Sequence, residues 1–431
     1  MGTNSKLLCK LISFFILFIV CTNYTYAQNT SLISKLVKND PFFDSILLKP
    51  EYDIQVIYTK IERGKNDLKF KPHYFNVTKN YIYPSTSAIL PAAVFTLEKI
   101  NNIAKEHEGV NRGTYIKIDE AVTLNTLVYV DSSSENNLAS YAHFIKKMLL
   151  VRDESAYNYC YDFLGQQYFN DRMHNLGYNN VWFLNKLNND NPLNAKQTNR
   201  VTFFRNDLKS YYVDIIYLKR HATTIPFYAL YVQDWLVNPI DLYSRRKSIL
   251  MGKAYCKDGK VIQQAKDFSV YNQFGIEDMH NFLKNVIFPN TQKVKLNLAD
   301  SDYNFLYKYM GMYPSQNNYP AYDNRTFPNN YCKYIMGDKL SPTLKVFNIS
   351  GRDMGFITDN AYVIDTRNGV EFLLSIAVKC NKNDIFDEEY YEYESIGMPA
   401  IKRMSDIIYK YEISKKSKSV DFTDFLNKIN E

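Results

Sequence analysis

The chain has 431 residues, 46% of them hydrophobic and 15% aromatic, and a formal charge of +7. That length carries enough apolar material for one large core or two ordinary ones, while so mild a basic excess, with no long Lys/Arg run, argues against a nucleic-acid partner. Cys160, Cys256, Cys332 and Cys380 have no Cys-x-x-Cys spacing and no histidine forms a His-Glu-x-x-His pair, so no metal and no other cofactor is expected.

Residues 1–27 read as a signal peptide. Lys6 and Lys10 make a short basic region, residues 11–20 an apolar run, and Thr25-Tyr26-Ala27 ends on a small residue. The run is shorter than the roughly 20 residues a spanning helix needs, so no transmembrane segment is expected after its removal. Removing it takes away two lysines and no acid, which lowers the charge from +7 to +5. Cys21 follows Val20 rather than a small residue, which makes lipoprotein anchoring the weaker route. The protein is expected to be exported, periplasmic or secreted, where one or two disulfides are compatible with the four remaining cysteines. Residues 28–431 show no linker, repeat or low-complexity stretch and read as a single domain.

After a short N-terminal helix, residues 52–61 and 68–77 alternate as strands around a turn at 64–67 and make a hairpin. Over residues 87–106, Leu90, Val94, Leu97, Ile100 and Ala104 recur every three or four positions. Ile89, Ala92, Ala93 and Phe95 widen the stripe into a helix buried on most of its circumference. Helical patterns fill 138–150 and 156–176, with Gly165 and Gly177 as breaks or caps. Residues 182–289 assign poorly, and helix resumes at 276–286 and 302–310. Strands follow at 344–350, 355–366 and 370–380, the last two joined by Asn368-Gly369, a pair suited to a tight hairpin turn. An amphipathic helix at 396–411 and a polar, lysine-rich tail complete the chain. The expected fold class is α+β: an antiparallel sheet formed from N- and C-terminal segments, flanked by helices, with an all-helical middle region.

The stretch Tyr83-Pro84-Ser85-Thr86-Ser87-Ala88-Ile89-Leu90-Pro91, followed by Leu97-Glu98-Lys99-Ile100, resembles the nucleophile motif of the serine β-lactamase and penicillin-binding transpeptidase-like superfamily, written Tyr-Pro-Ala-Ser-x-x-Lys-Leu-Pro. In that register Thr86 takes the place of the attacking serine, flanked by Ser85 and Ser87, and Ile89 takes the place of the lysine one turn later. The superfamily's second motif, Ser-x-Asn, is matched by Arg152-Asp153-Glu154 ahead of Ser155-Ala156-Tyr157-Asn158. Its third, Lys-x-Gly on a strand beside the site, falls at Ile349-Ser350-Gly351, where only the glycine remains. The resemblance implies a β-lactamase-like serine hydrolase fold whose three catalytic motifs are degenerate.

Plainer roles exist for the same residues. Ser85 and Thr86 suit helix N-caps, and Asp153 and Glu154 suit first-turn acids of the helix that follows. Ser244-Arg245-Arg246-Lys247 satisfies Ser-x-x-Lys only literally, and Asp387-Glu388-Glu389 suits a solvated loop. The expected function is therefore that of a catalytically degenerate pseudoenzyme which binds a peptide or a cell-wall fragment. The alternative is an active serine hydrolase, acting on a β-lactam or peptide, with Ser85 or Ser87 attacking and Glu154 or Asp153 as base. A third reading, suggested by 37 tyrosines and many asparagines, is an adhesive protein unrelated to hydrolases.

Overall fold

The structure is a computed structural model that describes residues 31–430 apart from 65–66, 120–127, 189–194, 205–228, 236, 239, 292–293, 338, 340 and 416–421. The leader at 1–27 lies outside the described residues. Two short helices, α1 (Leu32–Val37) and α2 (Pro41–Ile46), open the fold, the second capped by Asp40 and started by Pro41 at its first position.

The main sheet has five strands: β1 (Gln55–Arg63), β2 (Leu68–Phe75), β3 (Leu344–Asp353), β4 (Phe356–Asp365) and β5 (Val370–Lys379). Their order is β3-β4-β5-β1-β2 and every pairing is antiparallel, so strands from the two ends of the chain meet where β5 pairs with β1. Both faces are covered. Val56, Tyr58, Val363, Leu374 and Ile376 point into one core with α1, α2 and the long helix α9 (Met398–Ser414). Ile57, Ile61, Tyr362, Leu373 and Ala377 point into the other. There they meet α3 (Ile89–Ala104), α4 (Tyr141–Val151), α5 (Glu154–Leu164), α6 (Gln166–Asn175), α7 (Ile276–Ile287) and α8 (Asp300–Gly311). The period-2 alternation of these strands is what lets one sheet serve two cores. A final helix, α10 (Thr423–Asn430), replaces part of the expected polar tail, with Phe425 packed against Tyr307, Phe347 and Tyr362.

Two expectations need correction, and the state of the cysteines, left open by the sequence, can be read. The middle region is not all helical, because short strands pair at Ile116–Ile118, Val201–Phe204 and Ala229–Gln233, at Val181–Trp182 with Gln273–Phe274, and in two further small sheets. Pieces this short are set by tertiary pairing and leave no readable period. Asn368-Gly369 is not a two-residue turn: Asp365 pairs with Val370, and the Asp365 carboxylate accepts the N–H groups of Arg367 and Asn368 at 2.9 and 3.3 Å, which organises a four-residue loop. The tight turn lies instead at Met354-Gly355, where both residues have positive φ, of 49° and 76°, between the paired Asp353 and Phe356. Finally, all four described cysteines are free thiols.

Candidate functional site

The first motif stands at the start of α3 as a 3₁₀ turn, Ser85–Ala88, wholly buried. Ser85 has φ +46°, a strained setting for a residue with a Cβ, and it aims three successive hydroxyls in three directions. The expected N-cap role is not what the structure shows, since neither Ser85 nor Thr86 caps the helix. Instead the Ser85 hydroxyl donates to the Arg352 carbonyl at 3.3 Å and the Thr86 hydroxyl to the Ser350 carbonyl at 2.8 Å. Ser87 shares a hydrogen bond with Thr358 on β4 at 2.7 Å. Ile89 is fully buried in the helical-side core, so its own side chain supplies no amine at the lysine's position.

The second motif joins α4 to α5. Arg152 ends α4 in a left-handed conformation, φ 60° and ψ 40°, and is only 8% exposed. Its guanidinium donates back to the Leu149 carbonyl at 2.5 Å and across to the Asn348 carbonyl at 2.9 Å. Asp153 is the N-cap of α5, accepting the Ala156 N–H at 2.8 Å, as the helix-start reading expects. Glu154 is the first residue of α5. It bonds the Asn188 side chain, and burial, with Asp353 nearby, raises its pKa above the ordinary carboxylate value.

The third motif lies on β3, the outer strand. Ile349 packs into the helical-side core, and the Ser350 hydroxyl donates to the Cys332 carbonyl at 2.7 Å. Gly351 is needed for contact: a Cβ there would lie 2.3 Å from the Pro84 carbonyl oxygen and 2.8 Å from the Ser87 nitrogen. The helix start thus rests directly on the strand, and Ser87 reaches over Gly351 to Thr358, the residue paired with it.

Two buried charges that carry no motif share this region. Lys333 donates to the carbonyls of Met310 at 2.7 Å and Val346 at 2.8 Å, and to the Asn348 side chain at 3.2 Å. Burial, reinforced by the Arg152 guanidinium, lowers its pKa to about 7. Asp359 accepts the N–H groups of Tyr334 and Ile335 and the Asn348 amide, and burial raises its carboxyl to about 6. Asn348, fully buried, ties the two charges together and also donates to the Cys332 carbonyl at 2.7 Å. Nothing in the local sequence around Tyr331-Cys332-Lys333-Tyr334 marks these roles, because each depends on β3 and β4.

Ser85, Thr86, Arg152, Asp153, Glu154 and Lys333 line one open cleft of about 1250 Å³. Phe327 and Tyr331, edge to face at 5.0 Å, form part of its wall with Arg352. A stripe of α9, including Lys402, Arg403, Ile407 and Lys410, forms another part. Ser87 and Ile349 face a small interior void instead. The structure therefore brings the first two motifs together and sets the third against them. For Ser85, Thr86 and Ser87, the hydrogen bonds among the described residues run to backbone or to Thr358, and none runs to a carboxylate, an amine or an imidazole. An alcohol without a base in contact is a weak nucleophile at neutral pH.

Two other hydroxyl–imidazole groupings exist among the described residues: Ser133 bonds His143 at 2.9 Å beside Asp131, and His280 joins two hydroxyls. His280 lies between Thr59 at 2.9 Å and Ser375 at 2.8 Å, joining β1, α7 and β5. All three are buried, and burial lowers the histidine to about 3, so the ring stays neutral as a structural link. Among the described residues no group of three His, Cys, Asp or Glu could hold a metal ion, and no helix is long and apolar enough to cross a membrane.

Residues 66–208, a stretch that holds the first two motifs, match a family model described as the Beta-lactamase enzyme family. No curated protein matches the chain. Among solved structures, similar chains include a mutant of PBP-A captured as its acyl-enzyme complex with penicillin G. It is 12% identical, with 88% of this chain and 96% of that one covered and a TM-score of 0.44. The β-lactamase of Sphaerobacter thermophilus is 7% identical over 90% and 98%, with a TM-score of 0.45. The chromosome-encoded β-lactamase of Vibrio parahaemolyticus is 12% identical over 87% and 100%, with a TM-score of 0.45. The α+β architecture, with its antiparallel sheet drawn from both chain ends and clad by helices, is that of the β-lactamase/transpeptidase-like fold. The match of residues 66–208 to that family model agrees with the resemblance of this chain to the serine β-lactamase and penicillin-binding superfamily.

Proposed function

We propose that this protein is an exported, catalytically silent member of the serine hydrolase lineage that binds its ligand without acylation. The observation that carries this reading is the Thr86 hydroxyl. It donates its proton to the Ser350 carbonyl at 2.8 Å, and the residue one turn later is a buried isoleucine. Attack on a carbonyl requires that proton to move to a base as the bond forms, and a backbone carbonyl does not accept it. The remaining cleft, with Phe327 and Tyr331 on one wall and Arg352, Lys402 and Lys410 on others, suits a peptide or a cell-wall fragment.

A second reading, a hydrolase with rearranged machinery, rests on Glu154. This carboxylate lines the same cleft as Ser85 and Thr86, and its raised pKa moves it toward the range of a general base. Intact-mass spectrometry of the mature protein after incubation with a reactive β-lactam, beside Thr86→Ala and Ser85→Ala variants, separates the two. We expect no adduct in any sample. A stoichiometric adduct that disappears in one variant identifies a working nucleophile and removes the silent reading.

A further inference from the structure

The turn at Met354-Gly355 fixes which way each residue of β3 faces. A two-residue hairpin loop makes the flanking pair, Asp353 and Phe356, a hydrogen-bonded one. Alternation then directs the backbone of Gly351, Ile349 and Phe347 toward β4, and that of Arg352, Ser350, Asn348 and Val346 away from it, to the outer edge. Those four carbonyls are the ones met above. Arg352 receives Ser85 at 3.3 Å, Ser350 receives Thr86 at 2.8 Å, Asn348 receives Arg152 at 2.9 Å, and Val346 receives Lys333 at 2.8 Å. Every second residue over a run of roughly 20 Å is thus capped by a side chain from elsewhere in the chain.

An open strand edge is a template on which another strand can pair. A joining strand must present an N–H to each outward carbonyl and take up the space beside it. Here donors already fill those directions, and the Ser85–Ala88 turn lies against Gly351 closely enough to leave no room for a Cβ. The strand itself is not built for exposure, since it has no proline and six consecutive buried residues from Val346 to Gly351.

We propose that Ser85, Thr86, Arg152 and Lys333 form a side-chain latch that closes the outer edge of β3 to strand addition by a second copy of this chain. This rests on the reading that the motif positions no longer perform acyl chemistry. It assigns the motif positions Ser85, Thr86 and Arg152 the role of holding an edge shut, with Lys333 joining them from outside the motifs.

The test compares wild type with the double variant Thr86→Val, Lys333→Met, which removes two donors at nearly constant volume. Amide hydrogen exchange is resolved over residues 346–352 and, as an internal reference, over 372–378 in the sheet centre, and sedimentation velocity is run over a range of concentrations. We expect exchange over 346–352 to accelerate at least tenfold with 372–378 unchanged, and concentration-dependent association absent from wild type to appear. Unchanged exchange at the edge, acceleration spread equally over both segments, or a monomer at every concentration despite a faster edge overturns the latch. If the double variant does not fold, Ser85→Ala removes the longest rung alone and is judged at the Arg352 amide by the same criterion. The outcome is distinguishable from failure of the silent reading, because a β-lactam adduct on wild type would remove that reading whatever the exchange data show.

Discussion

The two edges of the central sheet are guarded in different ways. β2 faces solvent and carries its own protection: Lys69 and Lys71 project from it, and Pro72, opposite Thr59, removes a backbone donor. β3 meets the cleft at Arg352 and is buried along most of its length, and its protection is imported from the start of α3, the end of α4 and the loop before the strand. A solvent-facing edge can be defended by charge at little cost in burial. A buried edge cannot rely on hydrated charge, since a charge placed there loses hydration, so buried donors, two of them cationic, bond the strand carbonyls directly.

Removing rungs from one edge and charges from the other should therefore have unequal effects. The largest is expected for Arg152→Ala, which deletes a buried guanidinium bonded to the Leu149 and Asn348 carbonyls. Hydrogen bonds to charged groups are worth about 1.5–3 kcal/mol each, and urea unfolding should show a loss of about 3 kcal/mol. A loss below about 1 kcal/mol would show that the edge holds without this rung.

Lys333 sharpens the comparison through pH. Its pKa falls from 10.5 in the free chain to about 7 in the fold, so between these values the unfolded chain binds more protons. Stability must then rise with pH across that window, by at most about 1.4 kcal/mol per unit. Lys333→Met should flatten the rise. Part of it should persist above pH 8, because burial also lowers Lys99, to about 8. Asp359, raised to about 6, acts with the opposite sign, costing stability as pH climbs from 3.8 toward 6. If wild type and Lys333→Met show the same slope between pH 7 and 10, the lysine is not buried as described.

The smallest effects set the two edges side by side. Thr86→Val should cost about 1 kcal/mol, the worth of one neutral hydrogen bond. Lys71→Ala, at a surface pair with Glu62, should stay within about 0.5 kcal/mol. Thermal or urea unfolding of the two variants in parallel checks the ranking, and equal losses would remove the contrast.

Much of this fold was legible in the sequence because its long elements repeat a period. The helix at 89–104 and the strands at 344–353 and 370–379 stand close to where apolar spacing puts them. The three stretches matched as motifs do lie close together, but their partners were not legible. Thr86 meets a carbonyl 264 residues away, and Arg152 one 196 residues away, and nothing local distinguishes such a contact from an N-cap. Lys333 and Asp359 were invisible for the same reason. A lone lysine beside a cysteine and two tyrosines has no signature until β3 and β4 enclose it. At Asn368-Gly369 a local rule was overruled by one side chain, Asp365, whose carboxylate captured the loop.

Gly351 shows what contact between two backbones demands. The lysine and serine of a working site answer to chemistry and are free to drift once turnover no longer matters. The glycine answers to the touching of two backbones, and that demand persists for as long as the fold does. A sequence that keeps this glycine therefore records a contact between strand and helix start, and a search for active proteins should weigh the lysines instead.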